Sequence, residues 1–233
     1  MSNFGGNVVR KGSLEVVCGS MFSGKTEELM RRLRRAEYAK KNVLTIKHKI
    51  DDRSGEAYIG SHDGRERLAF SVENKLQSLE RILDLANKNI DVVGIDEINF
   101  FPEEIVPIIC KLVDLGKRVI VAGLDLDFRG EPFGCVPTLL SIADNVLKLK
   151  AICMCCGHDA QHTQRIVNGE PADYDDPLIM VGASESYEAR CRDCFIINRP
   201  PKHTQVFATL SPKKIPVADV SHVMPIEPSQ DQL

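Results

Sequence analysis

The sequence predicts an α/β protein, a mostly parallel sheet flanked by helices, followed by a small second module. Three observations predict it. Short apolar, β-branched runs recur through the first half of the chain without the alternation of a half-solvated strand. That is the pattern of strands buried on both faces of a parallel sheet. Helix-like stretches lie between these runs, and alternating strand and helix implies right-handed crossovers. Near residue 150 this texture stops and paired cysteines begin.

The elements follow in order. Leu14–Cys18 is the first apolar run, and Lys25–Lys41, rich in Glu, Leu, Met, Arg and Ala, is the first helix. Val43–Lys47 is the second strand. Residues 49–67, KIDDRSGEAYIGSHDGRER, are polar and unpatterned, and so long a loop in a compact domain is usually functional or disordered. Asn74–Asn87 places Leu76, Leu79 and Leu83 on one helical stripe, and Asp91–Ile95 is the third strand. Pro102–Leu115 reads as a helix that opens on a proline and stops at Gly116. Arg118–Ala122 is the fourth strand.

Composition excludes several classes. The chain has 233 residues, 43% hydrophobic and 27% charged, an ordinary soluble composition. A chain this long buries roughly 70% of its unfolded surface and needs no covalent staples. No apolar run approaches the ~20 residues of a membrane span, and the start, MSNFGGNVVRKG, has no leader-like apolar core. A cytoplasmic protein without a membrane partner is the expectation. With 30 basic and 33 acidic residues the net charge is −3, which lacks the basic excess of a duplex binder. In a reducing compartment, eight cysteines are read first as metal ligands.

Gly19-Ser20-Met21-Phe22-Ser23-Gly24-Lys25-Thr26 fits GxxxxGK[ST] between a buried strand and a helix, the context that gives this motif meaning. Its glycines let backbone N–H groups wrap a phosphate at a helix N-terminus. Lys25 would reach the β- and γ-phosphates, and the Thr26 hydroxyl would reach Mg²⁺. Arg31, Arg32, Arg34, Arg35, Lys40 and Lys41 read as a solvated basic face. Asp96 and Glu97 close the third strand. If that strand neighbours the phosphate-loop strand, Asp96 lies near Thr26 in the Mg²⁺ shell. Glu97 is then a general base on an incoming nucleophile, water in an ATPase or a hydroxyl in a kinase. Phe100, Phe101 and Phe128 follow strand ends, where aromatics sandwich a planar base or pack in the core.

Cys153-x-x-Cys156 and Cys191-x-x-Cys194 can give four thiolates to one tetrahedral Zn²⁺, a closed structural site. Disulfides or free thiols are the alternative. The intervening residues 157–190 exceed a compact ribbon's usual gap, so something substantial is inserted. His158 and His162 lie near the first pair, but four cysteines suffice. Cys18, Cys110 and Cys135 have apolar neighbours and are expected to be buried; Cys155 has no assignment.

Together GSMFSGKT, DEINFF, GLDLDFRGEPFG, CMCC and SYEARCRDC resemble the thymidine kinase family of the bacterial and animal-cytosolic type, over residues 13–197. The resemblance implies a RecA-like P-loop NTPase fold with a small zinc-ribbon-like lasso domain. It implies transfer of the ATP γ-phosphate to the 5′-hydroxyl of thymidine, with deoxyuridine as a further substrate. Residues 19–26 with Asp51 and Asn99 would hold Mg-ATP, Asp96 would be the magnesium-associated carboxylate and Glu97 the general base. Arg53 would close over the transferring phosphoryl group. Phe100 and Phe128 would flank thymine. Leu178, Ile179, Met180, Val181, Gly182 and Tyr187 belong to a matching loop, 178–187, that would read the base edge, held at its root by zinc. A homotetramer inhibited by dTTP is also implied. The corresponding layout is a mobile 1–12, an ATP-binding domain over 13–150, the lasso domain over 151–197 and a Pro-rich flexible tail over 198–233. Ile98 and Asn99 depart from the small residue and the Gln usual at those positions. The competing expectation is a zinc-bearing P-loop ATPase acting on nucleic acid, which the near-neutral charge disfavours.

Overall fold

The computed structural model describes residues 12–49, 58–60, 66–86, 89–179 and 185–197. In chain order the elements begin with β1 (Ser13–Gly19), α1 (Lys25–Tyr38), β2 (Val43–His48), β3 (Tyr58–Gly60), β4 (Glu66–Leu68) and β5 (Phe70–Val72). They continue with α2 (Leu76–Leu85), β6 (Val92–Asp96), a 3-10 turn at Ile98–Phe100, α3 (Ile105–Asp114), β7 (Arg118–Gly123), α4 (Val136–Ile142) and β8 (Asn145–Leu149). The last group is β9 (Ala151–Ile152), β10 (Asp159–Ala160), β11 (His162–Val167), β12 (Glu170–Pro171) and β13 (Glu185–Arg190).

The main sheet has six strands in the order β5-β2-β6-β7-β1-β8, and every pairing in it is parallel. Both faces are covered, which explains the unbroken apolar runs. Val16 and Cys18 of β1 join Val93, Ile95, Val119 and Val121 in a core closed by Ile82, Ile105, Ile109 and Leu139 of α2, α3 and α4. Val17, Ile120 and Ala122 face the other way, onto Leu29, Met30 and Leu33 of α1. Successive strand residues thus feed opposite cores. Gly94 makes room for α1: a Cβ there would lie 2.6 Å from Leu33 Cδ1.

Several expectations are refined. β6 does not adjoin β1, because β7 lies between them. β5 and β8 escape the sequence pattern, β5 being three residues long and β8 an edge strand with three of its five residues exposed. Part of the stretch read as a long loop forms a hairpin, Tyr58 pairing with Leu68 and Gly60 with Glu66. Helix α1 stops at Tyr38, short of Lys41, and Lys40 turns to φ 59°. Pro102 precedes α3 and accepts the Ile105 N–H in the leading turn at 3.0 Å. Cys18 and Cys135 are buried as expected, whereas Cys110 is exposed. Ile105, Ile108, Ile109 and Leu112 take the inward face of α3, and the helical turn carries position 110 away from it.

After β8 the chain builds smaller sheets. β9 and β10 form a hairpin, and β12-β11-β13 form a three-stranded sheet. Their shared core is only Ala151, Cys153, Ala160, Ala189 and Cys191, with Cys194 packed against it. So few apolar side chains do not hold a module alone, which is where a metal staple contributes most. Among the described residues no helix is long and apolar enough to cross a membrane.

Candidate active site

The phosphate loop joins β1 to α1. Gly19 stands at φ 144°, and a Cβ there would lie 2.4 Å from the Leu149 carbonyl oxygen, so only glycine lets the loop leave the sheet beside β8. Phe22 (φ 63°) and Gly24 (φ 84°) are left-handed, turning successive amides toward one concave side. Lys25 Nζ and Ser23 Oγ both donate to the Ser20 carbonyl, at 2.7 and 2.8 Å. The loop is braced from behind by the cysteine module. Met21 N–H donates to Thr163 Oγ1 at 3.0 Å, and Ser20 Oγ to the Ala160 carbonyl at 3.4 Å.

Thr26 Oγ1 donates to Asp96 Oδ2 at 3.0 Å, so the expected proximity holds although a strand intervenes. Asp96 is buried, and its other oxygen accepts the Glu97 N–H at 3.0 Å. Glu97 sits at φ 50°, ψ 43°. A non-glycine residue in this region costs of order 1–3 kcal/mol, and such strain clusters at functional sites. Asn99 ties two strand ends together: its Oδ1 accepts the Leu124 N–H at 2.9 Å, while its Nδ2 is buried without a hydrogen-bond partner.

The two phenylalanines after Asn99 part company. Phe101 is buried, edge-on to His48 at 4.9 Å. Phe100 is half-buried, with Phe133 perpendicular to it at 5.7 Å and His48 at 6.1 Å. Asn74 fixes this corner, donating Nδ2 to the Phe100 carbonyl at 3.1 Å, its Oδ1 lying 2.7 Å from His48 Nε2. Phe128 is buried beneath the Arg165 guanidinium, 3.6 Å from the ring centroid. Tyr187 of β13 is paired in register with Arg165 of β11. Leu178 and Ile179 are exposed. Asp51, Arg53, Met180, Val181 and Gly182 lie outside the described residues.

The Sγ atoms of Cys153, Cys156, Cys191 and Cys194 all lie within 4.8 Å of one another. Tetrahedral Zn²⁺ with ~2.3 Å bonds needs sulfurs about 3.8 Å apart, so the donor set fits. Burial opposes ionisation of Cys153, but amide N–H groups of residues 191, 155 and 156 outweigh it and bring the thiol to about 6. The Cys156 and Cys191 thiols push Cys194 up. His158 Nδ1 lies 3.4 Å from Cys156 Sγ, and the exposed Cys155 meets Arg190.

Comparison with known proteins agrees with this geometry. The sequence profile described as thymidine kinase matches residues 12–195. The chain belongs to the thymidine kinase family. It is 52% identical over 192 residues to the thymidine kinase of Halobacterium salinarum strain R1, covering 82% of this chain and 98% of that one. The thymidine kinase of Halobacterium salinarum strain NRC-1 matches with the same identity and coverage. The matched region spans the phosphate loop, the Asp96-Glu97 pair and all four clustered cysteines. Within this family member, three polar residues near the site carry no sequence signature: Thr163 under the phosphate loop, Asn74 beside Phe100, and Arg165 over Phe128. Their partners are backbone groups from distant segments, which no local spacing encodes. A basic residue inside the otherwise strand-like run HTQRIV was the one available hint, for Arg165.

Proposed function

We propose that the protein transfers the γ-phosphate of ATP to the 5′-hydroxyl of thymidine, and of deoxyuridine, forming the nucleoside 5′-monophosphate. The observation that carries this reading is the contact of Thr26 with buried Asp96 across the mouth of the phosphate loop, with Glu97 held in a strained conformation beside it. The amides of residues 19–26 cradle the phosphates, and Lys25 swings from the Ser20 carbonyl onto the β- and γ-phosphates. Thr26 and Asp96 would hold Mg²⁺, which would supply charge neutralisation for the phosphates. Glu97 takes the 5′-hydroxyl proton as the oxygen bonds to the γ-phosphorus and the bond to ADP breaks. Arg53 steadies the transferring group, and Asp51 and Asn99 complete the nucleotide side.

Phe100 and Phe128 border the base, and residues 178–187, from Leu178 through Met180, Val181 and Gly182 to Tyr187, read its edge. Buried main-chain groups of that kind reject a base that leaves them unpaired. The four cysteines would hold a structural Zn²⁺, tying the segments before and after residues 157–190 together. In this layout residues 13–150 form the ATP-binding domain and 151–197 the lasso domain; residues 1–11 and 198–233 lie outside the described residues. We further infer a cytoplasmic homotetramer, with dTTP inhibiting by spanning both subsites.

The test offers purified protein Mg-ATP with thymidine, deoxyuridine, deoxycytidine or single-stranded DNA, and measures monophosphate and phosphate release. Thymidine monophosphate is expected. DNA-stimulated hydrolysis without nucleoside phosphorylation would overturn the reading in favour of a nucleic-acid ATPase. Glu97→Gln is expected to lower kcat by about 10²–10⁴-fold with ATP affinity nearly unchanged, and wild-type turnover would remove Glu97 from the base role.

A further inference from the structure

We propose that Arg165 and Arg129 form a positioning clamp that locks the Phe128 ring to the entry of the 178–187 loop and thereby sets nucleoside affinity and selectivity. This rests on the reading of Phe128 and that loop as the base site.

Arg165 is the largest fully buried side chain of the protein's described residues. Its Nη1 donates to the Pro177 carbonyl at 2.8 Å. Its Nη2 lies 3.7 Å from Asp176 Oδ2, and neither Nε nor Nη2 has a hydrogen-bond partner. A buried cation with unmatched donors is costly, and a group retained under that cost needs an explanation. Its guanidinium lies over the Phe128 face at 3.6 Å. Arg129 approaches the same ring at 4.9 Å and the Tyr174 ring at 5.5 Å. Its Nε and Nη2 donate to the carbonyls of Tyr174 and Asp176, both at 2.7 Å.

Two guanidinium groups therefore grip the carbonyls of 174, 176 and 177, the last residues before Leu178, and both also approach one aromatic ring. The strand register adds a third connection, since Tyr187, at the far end of the loop, pairs with Arg165. Neither arginine needs to touch the substrate. Their part is to make the Phe128 ring and residues 174–177 one rigid object, so that this wall of the base site needs no ordering when a base arrives. Lysine cannot replace either one, because a compact ammonium offers neither the planar fork nor the stacking surface.

The experiment compares Arg129→Lys, Arg165→Lys and Phe128→Leu in the full-length protein. Arg129 keeps 21% side-chain exposure against 0% for Arg165, so its replacement disturbs the core less, and thermal melting checks that each variant is folded. Each arginine variant is expected to raise the thymidine KM about tenfold, the size of one lost charge-assisted hydrogen bond. The preference for thymidine over deoxycytidine should fall with it. The ATP KM and kcat should stay within about twofold, and zinc content should stay at the wild-type value. A merely structural role would lower stability and leave the KM and the selectivity of folded protein alone. Arg129→Lys with wild-type thymidine KM and selectivity would overturn the clamp. If Phe128→Leu raises the thymidine KM while the arginine variants do not, the clamp fails and the base-site reading stands. If Phe128→Leu is also silent, the base-site reading fails first.

Discussion

His162 illustrates how one side chain is governed by burial. It is 8% exposed, stacks on Phe195 at 4.5 Å, and neither ring nitrogen has a hydrogen-bond partner. Burial lowers its pKa below the usual 6.5; the positive charges of Arg192 and Lys148 add to this, and Asp125 opposes it. The unfolded chain therefore binds a proton here more readily than the folded one. Stability from this residue is full above about 6.5, the unfolded value, and is lost as pH falls below it and through the lowered folded pKa. Denaturant midpoints between pH 5 and 8 should show this decline, and His162→Phe should flatten it; equal slopes would exclude His162 as the source. At this scale the sequence disclosed which motif residues meet, such as Thr26, Asp96 and Glu97. It concealed the parts played by His162 and Arg165. What matters for both is the surrounding burial, and a single strand position does not reveal it.

Between elements, the joint that matters is β11 against the phosphate loop. Thr163 receives the Met21 amide, so one loop amide is anchored to the cysteine module. Thr163→Val keeps the shape and removes the acceptor, leaving a part-buried donor unmatched at about 1–3 kcal/mol. A several-fold rise in the ATP KM is expected by steady-state kinetics. Chelation or Cys191→Ser should act in the same direction, because loosening the module loosens the support. Unchanged nucleotide affinity in metal-free protein would show the two elements to be independent. Element order was legible because periodicity separates strand from helix. Lateral strand order was not: nothing in Asp91–Ile95 or Arg118–Ala122 says which lies beside β1, so Asp96 reached Thr26 across β7 and not from the neighbouring strand. The β3–β4 hairpin was hidden because its strands are three residues each within polar chain.

At the scale of the whole molecule, stability lies in two apolar layers on a sheet, and Gly94 and Leu33 test how tightly one layer is fitted. Leu33 is fully buried, so Leu33→Ala should cost about 2–5 kcal/mol. Gly94→Ala places a methyl against Leu33 and should cost about 1–3 kcal/mol by overpacking. The double variant should be more stable than the two losses added together predict, since each change relieves the other. Urea unfolding of the four proteins measures this, and strict additivity would show that the layer relaxes freely. The left-handed backbone of Glu97 acts on the same global stability with opposite consequences for fitness. Glycine adopts that conformation without strain, so a laboratory library enriched purely for heat resistance would drift toward Glu97→Gly and harvest robust variants that lack the proposed general base. Any thermostabilisation campaign on this chain has to screen turnover in parallel, or hold Glu97 out of the mutagenesis.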